Sequence, residues 1–176
     1  MKKIKVLLSA LAMVAAMAFV SCGGGADPTT GGTSGADAVK LCKVEISQQY
    51  GNVSTAVPSD ATAIKYVFDG VPADVQFIYQ DSVVNPDDQW GNTYCAYMPI
   101  STEEVTVTLS EALEQLKTQQ SGNPSSTGVA KIALQNTANG ANSFVIKSIT
   151  VIKADGTEVS AGLPATDGYS STVTAL

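Results

Sequence analysis

The sequence contains no histidine and no arginine. Without imidazole there is no ordinary Ser-His nucleophilic pair and no His-bound zinc. The cations are ten lysines against 16 acids, for a formal net charge of −6. Three of those lysines are Lys2, Lys3 and Lys5, so the rest of the chain carries 7 against 16, or −9. Neutralising phosphate needs a basic face, which excludes nucleic acid as a partner, and an anionic membrane surface repels such a chain. Tryptophan occurs once and cysteine three times. After Val20 no run is long and apolar enough to span a bilayer. Glycoside hydrolysis needs two carboxyl groups about 5–10 Å apart across a cleft. Glu103, Glu104, Asp87 and Asp88 offer carboxyls, but no motif selects them, so no enzyme is expected.

What is present begins with an export segment. Lys2, Lys3 and Lys5 are basic, and Val6 to Val20 is a largely apolar, Ala-rich stretch of 15 residues, the length of a signal-peptide core. Phe19-Val20-Ser21-Cys22 closes it, with small Ser21 directly before Cys22. This junction resembles the bacterial lipoprotein signal, with Phe19 where the usual pattern has Leu. The resemblance implies cleavage before Cys22 and lipidation of Cys22. It also implies anchoring in the cell envelope, in the outer membrane of a Gram-negative bacterium. Each buried lipid methylene contributes about 0.8 kcal/mol. Residues 1–21 are then the signal peptide, and residues 22–37 are the lipidated cysteine and its tether. Gly23 to Asp37 reads GGGADPTTGGTSGAD, which buries no core and reaches about 20 Å as a flexible coil.

Residues 38–176 read as one domain. Alternation of period two marks its strands. Cys42, Val44 and Ile46 form the first, ended by Gln48 to Asn52. Ile64, Tyr66 and Phe68 form another, followed by the turn Asp69-Gly70-Val71-Pro72. Val75, Phe77 and Tyr79 come next, then a polar loop from Asp81 to Asn92 and a strand over 93–99. Val105, Val107 and Leu109 alternate, after which Ser110 is placed to cap a short helix with Ala112, Leu113 and Leu116 on its apolar edge. Strands follow over 129–136, 144–153 and 169–174, with Asp155-Gly156 as a hairpin signal. About eight strands and one short helix predict an all-β, two-sheet antiparallel sandwich. Cys42 and Cys95 either pair, as export would permit, or act as small buried hydrophobes.

Four stretches carry a second resemblance: Ile64–Asp69 with Val75–Tyr79, Val105–Leu113, the run IALQN at 132–136, and IKSITVIKADG at 146–156. Their order resembles the jelly-roll carbohydrate-binding modules of the galactose-binding-like type. The resemblance implies a concave sheet able to hold a polysaccharide or oligosaccharide. It further implies a structural calcium in many members, service to envelope glycan-utilisation proteins, and a monomeric domain. The expected function is non-catalytic glycan binding. The alternatives are a structural or adhesive lipoprotein that binds another protein, and a jelly-roll glycan lyase or hydrolase.

A sugar presents apolar C–H faces and a fringe of hydroxyls, so its site pairs aromatic rings with amides. If Ile132 and Leu134 face the core, Lys131, Ala133 and Gln135 face outward. By the same alternation Gln76 and Gln80 point out from the third run, and Gln49 lies on the polar face of the first. Gln49, Gln76 and Gln135 are candidate hydroxyl partners or simply solvated polar-face residues. Trp90, in the polar loop DDQWGNTY, is either a packed loop anchor or an exposed platform. Tyr97 is preferred to Tyr94 as a ligand contact, because Tyr94 shares a face with Ala96 and Met98. Asp87 and Asp88 are weak candidates for a calcium site.

Overall fold

The computed structural model describes residues 41–176, so the export segment, Cys22 and the glycine-rich tether lie outside the described residues. The domain is a two-sheet antiparallel sandwich of eleven strands and one helix. In chain order the strands are β1 (Cys42–Ile46), β2 (Asn52–Ala56), β3 (Ala61–Phe68), β4 (Val75–Val84), β5 (Thr93–Pro99) and β6 (Glu104–Thr108). Helix α1 (Leu109–Thr118) follows, then β7 (Lys131–Asn136), β8 (Asn142–Lys153), β9 (Glu158–Ser160), β10 (Ala165–Thr166) and β11 (Ser171–Ala175). One sheet runs β11-β1-β8-β3-β6, with β9 hydrogen-bonded to β8, and the other runs β10-β2-β7-β4-β5. Within them β1 to β8 take the orders 1-8-3-6 and 2-7-4-5, the double Greek key of a jelly roll.

Side-chain alternation explains which face of each strand is dry. Cys42, Val44 and Ile46 are buried, as are Ile64, Tyr66 and Phe68 of the same sheet and, facing them, Val75, Phe77, Tyr79, Ile132 and Leu134 from the second sheet. Aromatic rings join the layers. Tyr66 packs against Phe77 with centroids 5.1 Å apart, and Phe68 lies 6.5 Å from the same Phe77 ring, while Phe68 and Phe144 meet edge-on at 6.3 Å within one sheet. Such pairs add about 0.5–1.5 kcal/mol beyond the area they bury. The core lies wholly between the two sheets and beneath α1, whose Ala112 and Leu116 are its buried residues.

Three local expectations need correction. Thr108, not Ser110, is the N-cap of α1, and it makes no side-chain cap bond; Ser110 already lies inside the first turn, because Leu109 leaves the extended conformation one residue early. Gln49 is not on a strand, since β1 ends at Ile46 and Gln49 sits in the turn beyond it. The polar loop expected from Asp81 starts later, because β4 continues through Asp81 to Val84, where its pairing with β5 shifts register between Gln80 and Val84; residues 52–56, to which no element was assigned, form β2. The Asp155-Gly156 hairpin is present: Gly156 adopts φ +83°, open to glycine at no steric cost, and the Lys153 amide donates to the Thr157 carbonyl at 2.9 Å.

Cys42 and Cys95 are both free. Cys42 faces the core from β1 in one sheet, while Cys95 lies in β5 of the other and donates its thiol to the Tyr97 hydroxyl at 3.1 Å.

Candidate functional site on the outer face of the second sheet

The register of β2, β7, β4 and β5 builds three rows of side chains on the outer face of their sheet. The first is Asn52, Gln135, Gln76 and Pro99; the second is Ser54, Ala133, Ile78 and Tyr97; the third is Ala56, Lys131, Gln80 and Cys95. First and third rows stand four residues apart along each strand, about 13 Å. The middle of this face is apolar and close-packed, with Ala133 and Ile78 buried, while its ends are polar.

Loops raise walls at both ends, leaving a cleft of about 420 Å³. Trp90, Asp88 and Asn92 come from the β4–β5 loop, and Tyr50 and Tyr169 from the β1–β2 and β10–β11 loops. The volume falls within the range of small-ligand sites. Four aromatic rings line it, exposed to 80% at Trp90, 79% at Tyr169, 63% at Tyr50 and 40% at Tyr97. Between the rings lie the amides of Asn52, Gln80, Asn92 and Gln135. Trp90 is therefore an exposed platform and not a packed anchor.

Each ring is held by local chemistry that the sequence supplies. The Asp88 carboxylate accepts the Trp90 amide at 2.7 Å and the Asn92 side-chain amide at 3.2 Å, folding the loop behind the indole. The Trp90 amide keeps the Asp88 carboxyl below its ordinary range. Tyr169 sits on a turn organised by Asp167, whose carboxylate accepts the backbone amides of Ser170 at 2.8 Å, Ser171 at 3.0 Å and Tyr169 at 3.2 Å. The Ser170 hydroxyl donates to the same carboxylate. Desolvation pushes the Asp167 carboxyl up, and these hydrogen bonds outweigh it and hold the group well below the usual carboxylate range. Tyr50 adopts φ +66°, a left-handed conformation unusual for a residue with a side chain. Two bonds fix it: its amide donates to the Asn136 carbonyl at 2.9 Å, and its carbonyl accepts Gln135 Nε2 at 3.3 Å. Strain of this kind costs about 1–3 kcal/mol and gathers at functional positions.

Tyr97 belongs to β5, an edge strand. Gln119, just past α1, reaches across and closes that edge: its Oε1 accepts the Tyr97 amide at 2.8 Å and its Nε2 donates to the Tyr97 carbonyl at 3.0 Å. Burial pushes the Tyr97 hydroxyl and the Cys95 thiol above their ordinary pKa values, so both stay neutral near pH 7.

Of the candidates from sequence, Trp90, Tyr97 and Gln135 line the cleft together. Gln76 is next to it, donating to Gln135 Oε1 at 2.8 Å and leaving Gln135 Nε2 turned toward Tyr50. Gln49 is elsewhere, its Nε2 spent on the Thr137 carbonyl at 3.1 Å. Tyr50, Tyr169, Asn52, Gln80 and Asn92 were missed. Gln80 was legible as an outward residue of its strand, and the two loop tyrosines carried no periodic signal.

Asp88 is the one carboxylate of the cleft lining; Asp87, Glu103 and Glu104 lie outside it. Among the described residues no three His, Cys, Asp or Glu side chains converge, and Asp88 already spends its oxygens on loop amides. Comparison of the chain with protein-family models, with curated proteins and with solved structures finds no match.

Proposed function

We propose that the chain is a non-catalytic glycan-binding domain, held to the cell envelope through a lipid on Cys22. The observation that carries the proposal is the pairing, in one open cleft, of four exposed aromatic rings with a fringe of side-chain amides. A pyranose offers the complementary chemistry. Its C–H face gains by leaving water against an indole or phenol ring, and its hydroxyls take both the donor and the acceptor of an amide. A flat sheet surface meant for a protein partner would present a continuous apolar row or an unpaired edge. Here the apolar residues Ala133 and Ile78 form a small floor with polar groups around it, and Gln119 covers the nearest edge at Tyr97.

The glycine-rich segment and the Ser21-Cys22 junction support the anchor. In this reading the lipid on Cys22 supplies the attachment; among the described residues no helix is long and apolar enough to cross a membrane.

The test uses the compact unit 36–176, which contains the entire described core. The unit is applied to a glycan array and then to affinity electrophoresis in gels holding the polysaccharides that score. Retardation by at least one polysaccharide, lost on Trp90→Ala with folding intact, is the expected result. Binding to none would move a protein partner ahead of a glycan.

A further inference from the structure

Resting on the glycan reading above, we infer that the cleft takes neutral polysaccharide and turns away chains that carry carboxylate or sulfate groups. The argument is electrostatic. A carboxylate or sulfate on a sugar is recognised by Arg forks or by Lys ammonium groups, which match its charge and fill its acceptor oxygens. The chain has no arginine. Five of the six lysines in 41–176 are already engaged: Lys43 with Glu45, Lys65 with Glu158, Lys117 with Glu114, Lys147 with Asp69 and Lys153 with Asp60.

The sixth, Lys131, stands on the outer face beside Gln80, at the far row from Gln135, and does not line the cleft. The charge that does line it is negative. Asp88 faces the cleft from the loop that carries Trp90, fixed there by the Trp90 and Asn92 amides. Every other polar group of the lining is an amide, a phenol, an indole N–H, a thiol or a backbone group, and none of them supplies a cation. Such groups satisfy hydroxyls and leave an anion unpaired, which costs more than an unfilled hydrogen bond. At longer range the described residues carry 6 lysines against 14 acids, a charge of −8 that repels a polyanion before contact.

The experiment measures the unit 36–176 by affinity electrophoresis against two sets of gels. The neutral set holds mixed-linkage β-glucan, galactomannan, xylan and fully methyl-esterified polygalacturonate. The acidic set holds polygalacturonate, alginate and chondroitin sulfate. Esterification gives a matched pair with one backbone and the charge removed. The expected result is retention by at least one neutral polymer, unchanged when sodium chloride is raised. Every acidic polymer should then bind about ten-fold more weakly or less.

Retention by an acidic polymer equal to or above the neutral set overturns the inference while sustaining the glycan reading. If that retention falls with salt and is lost in Lys131→Gln, then Lys131 is the cation that the inference leaves outside the site. Retention by neither set, on gels and on the array, overturns the glycan reading itself and this inference with it.

Discussion

Truncating Trp90 separates binding from folding more cleanly than any other change in the cleft. The indole is 80% exposed, so its removal takes little apolar surface out of the folded state. A substitution of this kind shifts stability by less than about 0.5 kcal/mol. Against a sugar the account is different. A pyranose face that covers about 80 Å² of the ring stabilises the complex by about 2 kcal/mol, at about 25 cal/mol per Å². Trp90→Ala should therefore weaken binding by about 30-fold while the thermal midpoint stays within about 2 °C of the parent.

Gln135→Ala is the informative contrast. The hydrogen bond it removes from a sugar hydroxyl nets about 1 kcal/mol, or about five-fold in affinity, because that hydroxyl is already well hydrated. Gln135 also accepts from Gln76 and donates to the Tyr50 carbonyl, so this variant should lose some stability as well. Titration calorimetry on a polysaccharide that binds, with melting followed on the same samples, gives both quantities. The reasoning fails if Gln135→Ala costs more affinity than Trp90→Ala, or if Trp90→Ala melts many degrees lower, which would make the indole a structural anchor.

Other outcomes follow from the same geometry. The depressed Asp167 carboxyl contributes stability that is fully present above the unfolded carboxyl pKa of about 3.9 and is lost as pH falls below it toward the folded value. Acid denaturation of the parent should therefore steepen below about pH 4, and Asp167→Asn, which weakens the acceptor for the Ser170 and Ser171 amides, should flatten that dependence. In the 36–176 unit, dithionitrobenzoate should modify partly buried Cys95 in the native state and reach fully buried Cys42 only after unfolding; immediate reaction of both, or of neither in denaturant, would contradict the placement of the free thiols. In the full-length chain expressed in a Gram-negative host, Cys22→Ala should abolish incorporation of labelled palmitate, and continued labelling would refute lipidation at that residue.

The strands legible in the sequence are those whose inward residues are large and apolar. Tyr66 and Phe68, Phe77 and Tyr79, and Ile132 and Leu134 announce their faces by alternation alone, and the outward side of Gln76, Gln80 and Gln135 follows at once. Residues 52–56 were not legible because one of the two inward side chains is Thr55, a polar residue buried at 7% exposure, and the strand is only five residues long. β9 and β10 are exposed throughout and show no dry face to read. The cleft was half legible for a related reason. Trp90, Tyr97 and Gln135 stand out by residue type and strand face. Tyr50 and Tyr169 are more than a hundred positions apart and meet only because β1 and β11 pair in register, bringing their flanking loops to one end. Local periodicity carries no information about a closure of that length.

That pairing also decides how the domain can be handled. Cys42 lies opposite Ala175, and the Leu176 amide reaches the Leu41 carbonyl at 3.4 Å, so the described chain enters and leaves side by side. The other end of the same strand pair, Ile46 opposite Ser171, leads into the loops that bear Tyr50 and Tyr169. A reporter or a bead attached before Leu41 or after Leu176 therefore departs from the end opposite those tyrosines. A short peptide joining the two ends, with new termini opened at the exposed Asp155-Gly156 hairpin, gives a circular permutant that keeps every ring of the cleft in place.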